Sequence, residues 1–279
     1  MAPAKLNIHI PPDANPTNVT QLVLLLDKEN IEFESVRELL EFADSQGVGG
    51  RTEMQTTAVE MGLLAKDRDR IHASQLGHTF SQLREDVRAD ILHLLLYTGW
   101  NVNKPLDFLP SWAYRDSCNR YWSQGEVVLT NSYLDRQVEE TINLARETFL
   151  AMKIDDFDEL AFSRKSLTGA RKWLDALQPS VIEDNTFTRR AFCPPELLIL
   201  AIGYVLRNDP DTTEIDILLS RDRREQICRV CLLDPDSLDR TLDWALSVFP
   251  SVIEQGTSAG TYGRFIRLHK MPTLQDIVR

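Results

Sequence analysis

The stretch that decides the reading is AVEMGLLAKDRDRIHASQLGHTF, residues 58–80. It opens on the end of an alanine-containing helix and breaks at Gly62, where a helix commonly stops on a residue at positive φ that glycine adopts without penalty. Leu63 and Leu64 lead into a charged run, 65–70, and Ile71-His72-Ala73 has the composition of a short strand. Leu76-Gly77 and Phe80 follow. The stretch therefore predicts a helix, an extended arm, a charged tip and a returning arm.

Working upstream, Val19, Leu22, Val23 and Leu26 recur at helical spacing after Pro11, Pro12 and Pro16, which predicts an amphipathic helix. Ser35-Val-Arg-Glu38 fits a capping box for a second helix with Leu39, Leu40 and Phe42 as its apolar face. The glycine-rich break at 47–50 ends it. Thr52, with Gln55 in the box position, is the expected cap of a third helix reaching about Met61.

Downstream, residues 81–100 continue as a helix on Leu83, Val87, Ile91, Leu94 and Leu95. Residues 101–125 hold Pro105, Pro110, Trp112, Tyr114, Tyr121 and Trp122, and read as an aromatic-rich, irregular or short-helical connector. A long helix capped by Thr130 or Asn131 carries the stripe Leu134, Val138, Ile142, Ala145, Phe149 and Met152. Residues 155–159 read as an acidic turn, and 164–177 as a helix stopped by Pro179. The last third repeats the first rhythm. Pro194 and Pro195 open an apolar helix, 208–213 is a loop, and 214–220 and 221–233 are expected as a short and a longer helix. Asp234-Pro-Asp-Ser237 starts another helix, with Leu238, Leu242, Ala245 and Leu246 inward. Two extended runs then surround a Gly-rich tip at 256–260, and Tyr262, Phe265, Ile266 and Leu268 have strand composition.

The order of helices and hairpin over 58–80 and the segments before it resembles the winged helix-turn-helix fold, in which a third helix ends in a "GLL" and the wing returns into a leucine-glycine pair. The C-terminal third has the same ending. The resemblance implies a mainly α chain with small β-hairpin wings: an N-terminal winged-helix domain (1–100), an aromatic-rich connector and helical middle (101–190), and a C-terminal winged-helix domain (191–279). The repeat is one of structure, not of sequence.

Composition sets outer bounds. The 279 residues are 43% hydrophobic and 26% charged, which supports a sizeable core and excludes a collagen, a disulfide scaffold and a wholly disordered chain. Lys+Arg number 31 against 42 Asp+Glu, a net charge of −11, so the chain is no generic polyanion binder. Residues 197–206 (LLILAIGYVL) form the longest uncharged apolar run, short of the roughly 20 residues a membrane span needs. The N-terminus lacks a charged region followed by an apolar one, and four cysteines make no disulfide framework. A cytoplasmic protein without membrane contact is the expectation.

Motifs for chemistry are sparse. Gly256-Thr-Ser258-Ala-Gly260 matches G-x-S-x-G, but a nucleophile elbow needs a helix after it, and here an extended run follows; no His follows the last acid. Cys228-x-x-Cys231 sits inside a predicted helix; zinc needs two more ligands, and Cys118 and Cys193 are isolated in sequence. His9, His72, His78, His93 and His269 form no HExxH; His72 and His78 flank the first wing. The acidic pairs Asp67/Asp69, Asp156/Asp158, Asp209/Asp211 and Asp234/Asp236 lie at turns or helix starts, where Asp accepts backbone hydrogen bonds. No P-loop and no E-x-K triplet occur. No catalytic residue, metal site or cofactor is therefore assigned.

Charge tests the winged-helix expectation further. A base-reading third helix presents Arg, Lys, Asn or Gln to the major groove. The first, 53–62, carries Glu53 and Glu60 and no basic residue; the second, 235–248, carries Asp236, Asp239 and Asp243 against Arg240, so each is −2. Phosphate repels such a helix within a Debye length of roughly 8 Å. Basic residues sit instead on the wings (Lys66, Arg68, Arg70; Arg264, Arg267, Lys270) and on the helix with Arg221, Arg223, Arg224 and Arg229, where they contact DNA backbone or form a solvated face paired with Asp222 and Glu225.

Two functions follow. The first is a non-enzymatic adaptor that binds protein subunits of a DNA-handling complex. Acidic paired winged-helix proteins of this kind resemble the small subunits that clamp the kleisins of chromosome-organising ATPases, and accessory subunits of anti-phage systems. The second is a DNA-binding regulator or targeting subunit that touches double-stranded DNA through its basic wings. Trp112, Tyr114, Tyr121 and Trp122 form either a partner-binding surface or the packing between modules. A homo-oligomer is compatible with both.

Overall fold

Capping and turn chemistry place most of the helices. The computed structural model describes residues 4–29, 32–49, 51–68, 70–154, 157–209, 216–256 and 264–278. After β1 (Ala4–Asn7), Asn15 accepts from the Asn18 amide at 3.1 Å and Pro16 opens α1 (Pro16–Glu29). Ser35 accepts from the Glu38 amide at 3.3 Å and starts α2 (Val36–Ser45); Glu38 reaches back to the Glu34 amide rather than to that of Ser35. α3 (Thr52–Glu60) is capped from position 51, not 52: Thr52 lies inside the first turn, and Arg51 makes no side-chain cap. Gly62, at φ 75°, turns the chain into β2 (Leu64–Asp67), which pairs antiparallel with β3 (Arg70–Ala73). Ser74 then caps α4 (Gln75–Ser81), and α5 (Glu85–Thr98) follows. Phe33 and Ile71 exchange backbone bonds of 3.0 and 2.9 Å, so the segment between α1 and α2 lies beside β3.

The middle third is more regular than its sequence suggests. The connector at 101–125 is mostly one helix, α6 (Leu109–Gln124), because Pro110 falls in the first turn, where its missing N–H is unneeded. β4 (Glu126–Val128) leads to α7 (Asn131–Ala151), capped by Thr130. Of the acidic turn expected at 155–159, residues 155 and 156 lie outside the described residues and 157–159 belong to a strand, β5 (Phe157–Ala161), parallel to β1 across an ion pair of 2.7 Å between Lys5 and Glu159. α8 (Arg164–Asp175) packs so closely on this layer that a Cβ at Gly169 would meet the Ile10 carbonyl oxygen at 2.2 Å. β6 (Ile182–Glu183) and β7 (Thr186–Thr188) complete a sheet of order β4-β7-β6.

The C-terminal third begins with α9 (Pro195–Arg207), buried almost all round. Of the short helix expected over 214–220, residues 214 and 215 lie outside the described residues, and the rest is not helical: β8 (Asp216–Leu218) is a strand, fixed by pairing with the hairpin that follows. α10 (Arg221–Cys231) is capped by Ser220, and Asp234 starts a 3-10 turn, Pro235–Ser237, that feeds α11 (Leu238–Val248). β9 (Ile253–Gln255) and β10 (Phe265–Leu268) form the hairpin, in a sheet of order β8-β10-β9. The expected glycine tip at 256–260 lies largely outside the described residues. At each end of the chain a segment that follows a helix lies beside the hairpin's second strand: Phe33 bridges to β3, and β8 pairs with β10.

The chain is mainly helical with small sheets of two or three strands, and one set of buried apolar side chains runs from Ile8 to Ile277. The two ends meet at the C-terminus of α10, where backbone carbonyls lack partners within the helix. His93 on α5 donates from Nε2 to Val230 O at 2.8 Å, Arg190 donates from Nε to Cys231 O at 2.7 Å, and Trp122 on α6 donates to Leu233 O at 2.9 Å. Arg190 also holds Asp90 of α5 at 2.6 Å in a fully buried ion pair, whose second oxygen accepts from the Gln178 amide at 3.1 Å. Burial lowers the His93 pKa to about 3, so the ring is neutral and its Nδ1 accepts from the Tyr114 hydroxyl at 2.8 Å.

Candidate functional site

The aromatic set of the middle region does not face solvent. Trp112, Tyr114, Tyr121 and Trp122 all project from α6 into the interior. Tyr114 packs edge-on to Trp173, Trp112 packs on Phe149, Tyr121 on Phe187, and Trp122 lies under the guanidinium groups of Arg189 and Arg229 at 4.4 and 5.0 Å. Their apolar area is spent on the core, so packing, not a partner surface, is where they sit. The exposed aromatics are elsewhere. Phe192 and Trp244 are 47% and 45% exposed. Arg240 of α11 donates to Ala191 O at 3.1 Å, and Trp244 lies one turn further along the same helix face.

The basic residues of the C-terminal unit are brought together, but with carboxylates. Arg224 forks onto Asp239 at 2.8 and 2.9 Å. Arg264 reaches the Asp239 carbonyl at 3.2 Å and the Asp243 carboxylate. Arg223 holds Asp209 at 2.6 Å and Leu218 O at 2.8 Å, Arg267 holds Glu254 at 3.1 Å, and Lys270 holds Asp276. Of the pairings expected within α10, only Arg229 with Glu225 forms, at 2.6 Å. The Asp239 carboxyl is held below its ordinary pKa by the hydrogen bond from Arg224. Arg221 is exposed at the start of α10 and has no ion pair among the described residues.

The N-terminal hairpin differs. Arg70 lies 3.4 Å from Glu32, and His72 lies 3.8 Å from the same carboxylate. Lys66 and Arg68 have no ion pair among the described residues, and Arg68 turns the hairpin at φ 56°. His78 is tied to Asp27 on α1 rather than free for phosphate.

The outward face of α3 borders a cleft of about 430 Å³. Glu53, Thr57 and Glu60 form one wall; Lys5, Asn7 and His9 form the opposite wall; Leu106, Phe108 and Leu109 form the floor. Burial, with Asp107 adding to it, pushes the Glu60 carboxyl up to about 7. His9 donates to or accepts from Ser166 Oγ at 2.6 Å, and burial lowers its pKa. Ser166 is fully buried and also accepts from the Ser163 amide, so its hydroxyl is an α8 cap rather than a nucleophile.

The cysteines are buried and free. Burial, with Cys193 adding to it, pushes the Cys231 thiol well up, and burial pushes Cys228 to about 12; neither is a thiolate at neutral pH. Among the described residues no group of three or more His, Cys, Asp or Glu could hold a metal ion, and no helix is long and apolar enough to cross a membrane. Ser258 lies outside the described residues.

Sequence reasoning missed the α3 cleft, the Asp90–Arg190 pair and the Phe192–Trp244 patch. Trp244 had a signal, since it falls off the apolar stripe of α11. Asp90 had one too, as a lone acid inside a helix with apolar residues on every side. No protein-family model, curated protein or solved structure matches the chain.

Proposed function

We propose that this chain is a non-enzymatic adaptor made of two winged-helix units around a helical middle, and that it binds protein partners within a DNA-handling complex, of the chromosome-organising or anti-phage type. One observation carries the reading: both third helices turn carboxylates outward, and on the C-terminal unit the nearby arginines are consumed by those carboxylates. A groove-facing surface of that composition offers phosphate little attraction. The exposed Phe192 and Trp244 beside Arg240 supply the residue types that anchor protein interfaces.

A second reading rests on Lys66, Arg68 and Arg221, the basic candidates without a carboxylate partner among the described residues, which suit contact with DNA backbone through the first hairpin and the start of α10. Fluorescence anisotropy with a labelled duplex separates the two. The adaptor reading expects no sub-micromolar binding at physiological salt and no change in Lys66→Glu/Arg68→Glu. Sub-micromolar binding that this double variant abolishes overturns it in favour of the second.

A further inference from the structure

We propose that the cleft between β1 and α3 binds an extended basic segment of a protein partner, which adds as a strand along the free edge of β1. β1 has one neighbour, β5, among the described residues. The cleft is lined by β1 residues and α3 residues but by no β5 residue, whereas a second hollow, lined by the same Lys5, Asn7 and His9, is shared with Glu159 and the residues after it. The cleft therefore borders β1 where β5 does not reach, with α3 across it. In a strand paired on one side, alternate backbone N–H and C=O groups point away from the partner and remain available for another strand. Strand addition draws its affinity from these groups and its specificity from side-chain pockets.

The pocket walls define the occupant. Glu53 and Glu60 on α3 and Asp107, between the floor residues Leu106 and Phe108, form no ion pair among the described residues, and Asp107 adds like charge near Glu60. On the opposite wall Lys5 is already committed to Glu159, and His9 is kept neutral by burial. The cleft thus holds uncompensated negative charge over an apolar floor, complementary to lysine or arginine side chains alternating with apolar ones. Thr57 adds an independent pointer: it is only 7% exposed, it lines the cleft, and its hydroxyl makes no hydrogen bond among the described residues, unlike Thr79, Thr98 and Thr241, which bond back to their own helices. A hydroxyl left so is a group waiting for a ligand's donor or acceptor. The proposal deepens the adaptor reading and rests on it only for the partner being a protein.

The test is anisotropy titration of the full chain with a fluorescein-labelled peptide of alternating lysine and valine, at physiological salt and pH 8. Three comparisons decide it: the same peptide with glutamate for lysine, the same peptide N-methylated on alternate amides, and the variant Glu60→Gln/Asp107→Asn. Each is expected to weaken binding about tenfold or more, the scale of one or two lost charge-assisted or backbone hydrogen bonds. Glu139→Gln/Glu147→Gln on the exposed face of α7 controls for attraction to the acidic protein as a whole and is expected to leave binding unchanged. Equal weakening by the α7 and cleft variants, equal binding of lysine and glutamate peptides, or indifference to N-methylation overturns the proposal. The DNA titration varies the hairpin and this one varies the cleft, so each reading can fail alone.

Discussion

α3 and α11 each carry two carboxylates, Glu53 and Glu60 on one and Asp239 and Asp243 on the other, yet these carboxylates have opposite fates. On α11, Asp239 and Asp243 are bound by Arg224 from α10 and Arg264 just before β10, so the helix's acidity is part of what ties α11 to α10 and the hairpin. On α3, Glu53 and Glu60 find no cation among the described residues and border a cleft closed by β1 and residues 106–110. Helix charge alone therefore says that neither surface suits a phosphate backbone; it does not say which is internally satisfied and which is left to meet a partner. Satisfaction depends on long-range neighbours, and only the α3 face retains charge for another molecule.

The largest effect is expected where the two units meet. Arg190→Ala leaves Asp90 as an uncompensated buried charge and frees the Cys231 carbonyl, at a cost of about 3–5 kcal/mol. Because α5 and α10 share this contact, urea and calorimetric unfolding should show one transition at lower denaturant. Two separated transitions, with the N-terminal one unmoved, would break the picture of units locked through α10. A smaller effect comes from the basic residues of the two hairpins. Arg264→Glu removes charge-assisted hydrogen bonds to α11 and sets like charges against Asp239 and Asp243, costing about 2 kcal/mol. Lys66→Glu, on a residue with no such partner, should stay within about 0.5 kcal/mol of the parent. Equal melting temperatures for the two variants would show that the C-terminal pairings contribute nothing.

How far the sequence carries explains why this contrast was hidden in it. Ser35, Gly62, Thr130 and the apolar run 197–206 act through residues within a turn or two, and each appears in the structure where its local chemistry places it. What went astray depends on distant chain. β8 is a strand because β10 lies beside it, and β5 is a strand because β1, more than a hundred residues earlier, does. Residues 101–125 read as irregular because prolines and polar residues interrupt the pattern, whereas Pro110 sits where a helix tolerates it. The basic candidates were legible as residues, but their partners, Asp209, Asp239, Asp243, Glu254 and Asp276, come from other elements, and ion pairing leaves no periodic trace.

A further small effect is also the sharpest measure of the contrast, because it predicts opposite pH slopes for the two helices. Glu60 has its folded-state pKa raised toward about 7, so it binds a proton more tightly folded than unfolded. Its contribution is complete below its unfolded value and is lost as pH rises through about 7. Asp239 is lowered by its hydrogen bond from Arg224, so its contribution is present above the unfolded value and is lost as pH falls through its folded pKa. Glu60→Gln should therefore stabilise the chain at pH 8, by no more than about 1 kcal/mol once solvent screening of a part-exposed group is allowed for, and converge on the parent at pH 4. Asp239→Asn should destabilise at pH 7 and converge on the parent only in strong acid. Thermal melts of both variants across that range check the signs; parallel pH profiles would mean that the two helices hold their carboxylates alike.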